Sequence, residues 1–197
     1  MHQNEPLFNR PDFLNNAMNV ARMIAERSIA SGDTVVDATA GKGHDTVLLA
    51  QAVGESGKVY AFDVQDAAID ATWARCAAAG LDGRVELVKD SHAHLDRYLS
   101  VPVSCIMFNL GYLPGADKSF VTQSKSTVAA SEAAVRLLTV NGSVLWVVYP
   151  GHDNGEEEKA LIDFLGRLDP KHFNVFTWRP MNQSGHPPFL FGAQRRM

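Results

Sequence analysis

The chain has 197 residues, of which 46% are apolar and 20% charged, a balance that excludes intrinsic disorder and fibrous classes and is enough for one globular domain spanning residues 1–197. No apolar run approaches the roughly 20 residues that cross a bilayer, and the polar start lacks an apolar signal core, so a cytoplasmic protein with no membrane partner is expected. A net charge of −4 argues against a general basic coat for nucleic acid, although Lys118, Lys125, Lys171, Arg179, Arg195 and Arg196 in the second half are candidates for a local basic patch. Cys76 and Cys105 stand far apart in apolar surroundings, as small core residues of a reducing compartment do.

In chain order, Phe13, Ala17, Val20, Ala21, Ile24 and Ile29 recur near the helical period and predict a helix over 13–30 that stops at Ser31-Gly32. Short β-branched or aromatic runs follow at 34–37, 58–62, 85–88, 103–108 and 144–149, with Ala-rich or Leu-rich helical stretches between most of them. Strands alternating with helices need crossover connections, which predicts an α/β fold with a doubly wound, mostly parallel sheet. The last two runs, 173–178 and 188–193, are joined by a loop too short for a helix and predict a C-terminal antiparallel hairpin closing the sheet edge. The loop-like region 111–123 is the longest and is a candidate functional loop.

The sharpest local signal is Val35-Val36-Asp37-Ala38-Thr39-Ala40-Gly41-Lys42-Gly43-His44-Asp45, a buried strand ending in a carboxylate, then a glycine turn opening a helix. Glycines let the backbone turn sharply and lie against a ligand. Asp63 ends the second strand about 20 residues further on, where a carboxylate accepts ribose hydroxyls of an adenosine cofactor. A dinucleotide would bring its pyrophosphate against Asp37 and be repelled, whereas S-adenosylmethionine brings an ammonium and a sulfonium.

Asp90, after the third strand, is a candidate acceptor for the adenine amine, with Ser91 capping the turn that follows. His92 and His94 have H-x-H spacing but no third ligand at a recognisable distance, so no metal site is predicted. The fourth strand runs into Asn109-Leu110-Gly111-Tyr112-Leu113-Pro114 at the sheet edge where such folds bind ligands. There Asn109 can accept an amine N–H and Tyr112 can stack on a base.

These motifs resemble the bacterial rRNA methylase-like family of class I S-adenosylmethionine-dependent methyltransferases. The resemblance rests on Asp37 to Thr46, on Asn109-Leu110-Gly111-Tyr112-Leu113-Pro114-Gly115-Ala116-Asp117-Lys118, on Tyr149-Pro150-Gly151-His152, and on Asn182 with Pro187-Pro188-Phe189. Lys42 stands where an asparagine is usual, and Gly115-Ala116 replaces a Gly-Gly pair.

The resemblance implies a Rossmann-like class I methyltransferase fold with seven strands. It implies N-methylation of the aminomethyl group of 5-aminomethyl-2-thiouridine at the tRNA wobble position, with the anticodon loop as partner. The candidate cofactor residues are Asp37, Thr39, Gly41, Gly43, His44, Asp45, Thr46, Asp63, Gln65, Asp90, Ser91, His92 and Asn109. Asn109, Tyr112 and His152 are the catalytic candidates, Asn109 to orient the amine and His152 or a water to take its proton; Tyr112, Pro114, Lys118, Trp178 and Arg179 are the candidates for contact with the RNA. The terminal hairpin and first helix offer surface for a homodimer.

Overall fold

Seven strands lie in one sheet in the order β3-β2-β1-β4-β5-β7-β6, where β1 is Thr34–Asp37, β2 Lys58–Phe62, β3 Val85–Val88, β4 Val103–Leu110, β5 Leu138–Val148, β6 Phe173–Trp178 and β7 Phe189–Arg195. The computed structural model describes residues 14, 16–111, 124–150 and 154–197. The strands from β3 to β5 pair in parallel, and β7 runs antiparallel to both β5 and β6. The sheet reverses its winding between β1 and β4, the position at which open α/β sheets bind ligands.

The helices are α1 (Ala17–Ser28), α2 (His44–Ala52), α3 (Asp66–Ala78), α4 (Ser124–Leu137) and α5 (Glu156–Leu165). Strand alternation divides the core into two layers. Val36, Ala38, Ile106, Phe108, Val144 and Trp146 bury with α4 and α5, whereas Val35, Cys105, Met107, Leu145 and Val147 bury with α1 and α2. By the same alternation Asp37, Asn109 and Tyr149 belong to the α1 and α2 face, at the carboxyl ends of three adjacent strands. The opening turns of α4 and α5 are tied by the Thr127 hydroxyl, which donates to buried Glu157 at 2.5 Å.

Four boundaries differ from expectation. The helix predicted over 13–30 is Ala17–Ser28, because the Asn16 side chain accepts from the Asn19 N–H at 2.9 Å and caps it there. β4 continues through Asn109 to Leu110, and β5 begins at Leu138, six residues before the expected start at Val144, since polar Asn141, Gly142 and Ser143 concealed its first half. The second hairpin strand spans Phe189–Arg195 rather than 188–193. That strand inserts between β5 and β6, so β6 forms the sheet edge.

Two of the candidate cations stand at opposite ends of β6. Arg195 pairs in register with Phe173 at the start of β6, whereas Arg179 follows the opposite end of that strand; Lys118 lies outside the described residues. Among the described residues no helix is long and apolar enough to cross a membrane.

Candidate functional site

The carboxyl end of β1 delivers Asp37 into a nearly water-free position, 1% exposed. Its Oδ2 accepts from the Thr46 hydroxyl at 2.6 Å and its Oδ1 from the Thr39 N–H at 3.2 Å. Burial, then the neighbouring Asp45 carboxylate, push its pKa up from 3.8 to about 7. The anionic form is therefore under-compensated, the condition in which a cationic ligand is bound most strongly.

The glycine turn is held from three sides. Gly43, at φ +74°, is the N-cap of α2 and lies so near α3 that a Cβ there would meet Thr72 Cα at 2.8 Å. The Thr72 hydroxyl donates to the Gly41 carbonyl at 3.3 Å, and Arg75 Nε donates to the Lys42 carbonyl at 2.6 Å. Asp63 closes the loop from β2, its Oδ2 accepting from the Gly41 N–H and its Oδ1 from the Gln65 N–H, both at 3.0 Å. Each oxygen keeps a lone-pair direction for a further donor. His44 opens α2, its pKa lowered by burial and by Arg75 and Arg22 nearby, and Asp45 beside it bonds Arg22 Nε of α1 at 2.6 Å.

Asp90 is more committed than the sequence suggested. Its Oδ1 takes the Ser91 N–H at 2.7 Å and His94 Nδ1 at 2.9 Å, and its Oδ2 the Tyr98 hydroxyl at 2.9 Å. The His94 bond holds its carboxyl below the usual range. Ser91 caps the following 3₁₀ turn, His92–Arg97, by accepting from the Ala93 N–H at 3.2 Å.

His92 is buried edge-to-face against Phe108, with ring centroids 5.7 Å apart. Burial pulls its pKa down to about 4, against a raising bond to the Ala38 backbone, and its Nε2 has no hydrogen-bond partner. Among the described residues no three or more His, Cys, Asp or Glu side chains are placed to hold a metal.

Asn109 links this end of β4 to the loop after β1, its backbone N–H donating to the Thr39 hydroxyl at 2.7 Å. Its side-chain Oδ1 is buried without a partner. A buried acceptor left unpaired costs about 1–3 kcal/mol, so its persistence points to a donor supplied by a ligand.

Tyr112, Pro114, Lys118 and His152 lie outside the described residues. Trp178 packs against the α1-side core, and Arg179 bonds Glu158 at 2.7 Å while lying 3.6 Å over the Phe189 ring. Sequence reasoning missed Arg22, Thr72 and Arg75, whose positions carry no motif and are recruited through helix packing. S-adenosylmethionine fits this set: the Asp37 carboxylate for its cationic end, Asp63 for the ribose hydroxyls, a backbone turn open to close approach, and the unsatisfied Asn109 Oδ1 at the end of the adjacent strand.

The family model described as "Putative rRNA methylase" matches residues 59–194. The chain is 38% identical over 190 residues to the tRNA (mnm(5)s(2)U34)-methyltransferase, chloroplastic, of Arabidopsis thaliana, covering 91% of this chain and 69% of that protein. A crystal structure described as a "putative rRNA-methylase" from Clostridium thermocellum superposes with a TM-score of 0.89 at 40% identity, over 91% of this chain and 97% of that one. A Streptococcus mutans "putative methyltransferase" in complex with SAH gives 0.85 at 33% identity, over 91% and 98%. With the class I fold, the acidic glycine-loop site and these relatives together, the chain belongs to the rRNA methylase family and is an S-adenosylmethionine-dependent methyltransferase.

Proposed function

We propose that this enzyme methylates the primary amine of 5-aminomethyl-2-thiouridine at the wobble position of tRNA, on the anticodon loop. The observation that carries the reading is the buried, unpartnered Asn109 Oδ1 at the carboxyl end of β4, on the same sheet face as Asp37. The Arabidopsis relative, named for the methylated form of that nucleoside, supports the substrate.

S-adenosylmethionine supplies a methyl group on a sulfonium centre, open to displacement by a neutral amine. The protein's task is to hold that amine free of its extra proton and aligned. An amide oxygen suits this better than a carboxylate, because Asn109 accepts an amine N–H without the negative charge that would stabilise an ammonium. The Thr39 bond fixes the Asn109 backbone, and the neutral His92 ring behind Phe108 adds no competing charge. His152 is the proposed proton acceptor, with Tyr112, Pro114 and Lys118 proposed to receive the unstacked base and its phosphates. Asp37, Thr46, Asp63 and the Gly41–Gly43 turn are the proposed hold on the cofactor.

The test is a mass-spectrometric nucleoside profile of tRNA from cells lacking this gene, followed by incubation of that tRNA with purified protein and S-adenosylmethionine. Accumulated 5-aminomethyl-2-thiouridine that the protein converts to its methylaminomethyl form is the expected result. An unchanged profile with no methyl incorporation overturns the substrate.

A further inference from the structure

Asp45, in the first turn of α2, is 8% exposed and bonds Arg22 Nε of α1 at 2.6 Å. That bond uses Nε, one of the three guanidinium nitrogens. Arg22 remains one-quarter exposed, so these nitrogens are not sealed in the core. Asp45 stands two residues past the Gly43 N-cap, so this bond holds Arg22 at the opening turn of α2, on the sheet face that also carries Asp37, Asn109 and Tyr149.

The charge pattern there has two parts. Asp37 and Asp63 offer anionic groups, whereas Arg22 offers a planar fork of donors with one side already anchored. The amino-acid end of S-adenosylmethionine carries an ammonium and a carboxylate on one carbon. Left facing Asp37 and Asp45 alone, that carboxylate would be repelled. A guanidinium fork matches it in charge and in planar geometry. The first turn of α2, with Gly43 as an N-cap that provides no side-chain bond, adds its N–H groups from the same side.

We infer that Arg22 binds the α-carboxylate of S-adenosylmethionine, and that Asp45 is the positioning residue that orients it. The inference rests on the cofactor site proposed above. It makes α1, which carries no cofactor motif, part of the binding site, and it divides the amino-acid end between opposite charges, the ammonium toward Asp37 and the carboxylate toward Arg22.

The experiment compares S-adenosylmethionine with decarboxylated S-adenosylmethionine, which keeps the adenosine, the sulfonium and the amine. Affinities are measured by calorimetry on the full chain. Wild type is expected to favour the carboxylated ligand by about ten- to a hundredfold, the range of a charge-assisted bidentate pair. Arg22→Gln, whose amide retains a donor for Asp45, is expected to bind both ligands equally, with affinity for the decarboxylated one within about twofold of wild type. Arg22→Lys, which keeps the charge but not the fork, is expected to fall between and serves if the glutamine variant does not fold.

A wild-type preference that survives in Arg22→Gln, or in Arg22→Lys at its full size, overturns the inference, as does a wild type that binds the two ligands equally. A wild type that binds neither ligand removes the cofactor site itself, and is thereby told apart from a failure of Arg22 alone.

Discussion

The Thr39 hydroxyl accepts the Asn109 backbone N–H at 2.7 Å and so joins two points 70 residues apart in the chain. One is the turn that carries the cofactor loop; the other ends the strand that presents the proposed amine acceptor. Thr39 itself is set by its own N–H, which donates to Asp37 Oδ1. Asp37, Thr39 and Asn109 thus form one connected chain from the charge site to the amide.

Thr39→Val keeps the shape of the side chain and removes the acceptor. The Asn109 N–H then loses its partner, at a cost of about 1–3 kcal/mol. Denaturant unfolding should report that loss, and methyl transfer should fall further than cofactor affinity because Asn109 is the displaced group. Thr39→Ser, which restores the hydroxyl, should recover most of both. Equal effects from the valine and serine variants would show that the hydroxyl bond is not what matters.

Much of this was legible in the sequence. The alternation of strand-like and helix-like segments yields a parallel sheet because no other connection fits those spacings, and Asp37, Asp63 and Asn109 stand at strand ends, where a carboxyl edge must form. Three features were not legible. β5 starts at Leu138 because Leu138 pairs with Val103, after which the register shifts and pairing resumes with Ser143 opposite Cys105, an irregularity that local propensity does not reveal. The commitment of Asp90 to His94 and Tyr98 depends on a turn whose geometry composition does not reveal. Arg22 meets Asp45 only because α1 packs beside α2 on one face of the sheet, a contact between residues 23 apart that no motif encodes.

Arg179 tests the distinction between a structural and an RNA-facing cation. It bonds Glu158 at 2.7 Å and lies 3.6 Å above Phe189, fixing the start of β7 to α5. Arg179→Gln should lower stability by about 1 kcal/mol, or about 2–4 °C in Tm for a chain of this size, by removing a partly exposed ion pair and a cation–π contact. RNA affinity in a filter-binding assay should stay within about twofold of wild type. A tenfold loss of RNA affinity at unchanged Tm would place Arg179 on the substrate surface.

Two glycines separate backbone strain from steric overlap. Gly43 and Gly80 both have positive φ, +74° and +66°, but a Cβ at Gly43 meets Thr72 Cα at 2.8 Å whereas at Gly80 nothing lies within 4 Å. Gly80→Ala should therefore cost only the left-handed penalty, about 1–2 kcal/mol. Gly43→Ala adds an overlap with backbone, which moves α2 away from α3. It should lose cofactor binding as well as stability, measured by calorimetry on protein that circular dichroism shows to be folded. If the two variants lose the same stability and both bind cofactor normally, the packing of Gly43 on Thr72 is not limiting.

Asp37 gives the enzyme a pH dependence whose sign follows from its surroundings. With its pKa raised from 3.8 to about 7, the folded chain holds a proton across that interval that the unfolded chain releases, so stability contributed by this group is present at low pH and declines as pH rises toward 7. Cofactor binding runs the other way. An ammonium beside Asp37 favours the carboxylate, so binding below about 7 must expel the proton, and affinity should weaken by up to about tenfold per unit as pH falls beneath that value. Titration calorimetry in buffers of different ionisation enthalpy should detect release of up to about one proton per cofactor bound near pH 6. Asp37→Asn should bind weakly and lack this release while keeping any dependence that comes from the ligand's own groups. If the asparagine variant shows the wild-type proton release, the titrating group lies elsewhere and Asp37 is ionised before the cofactor arrives.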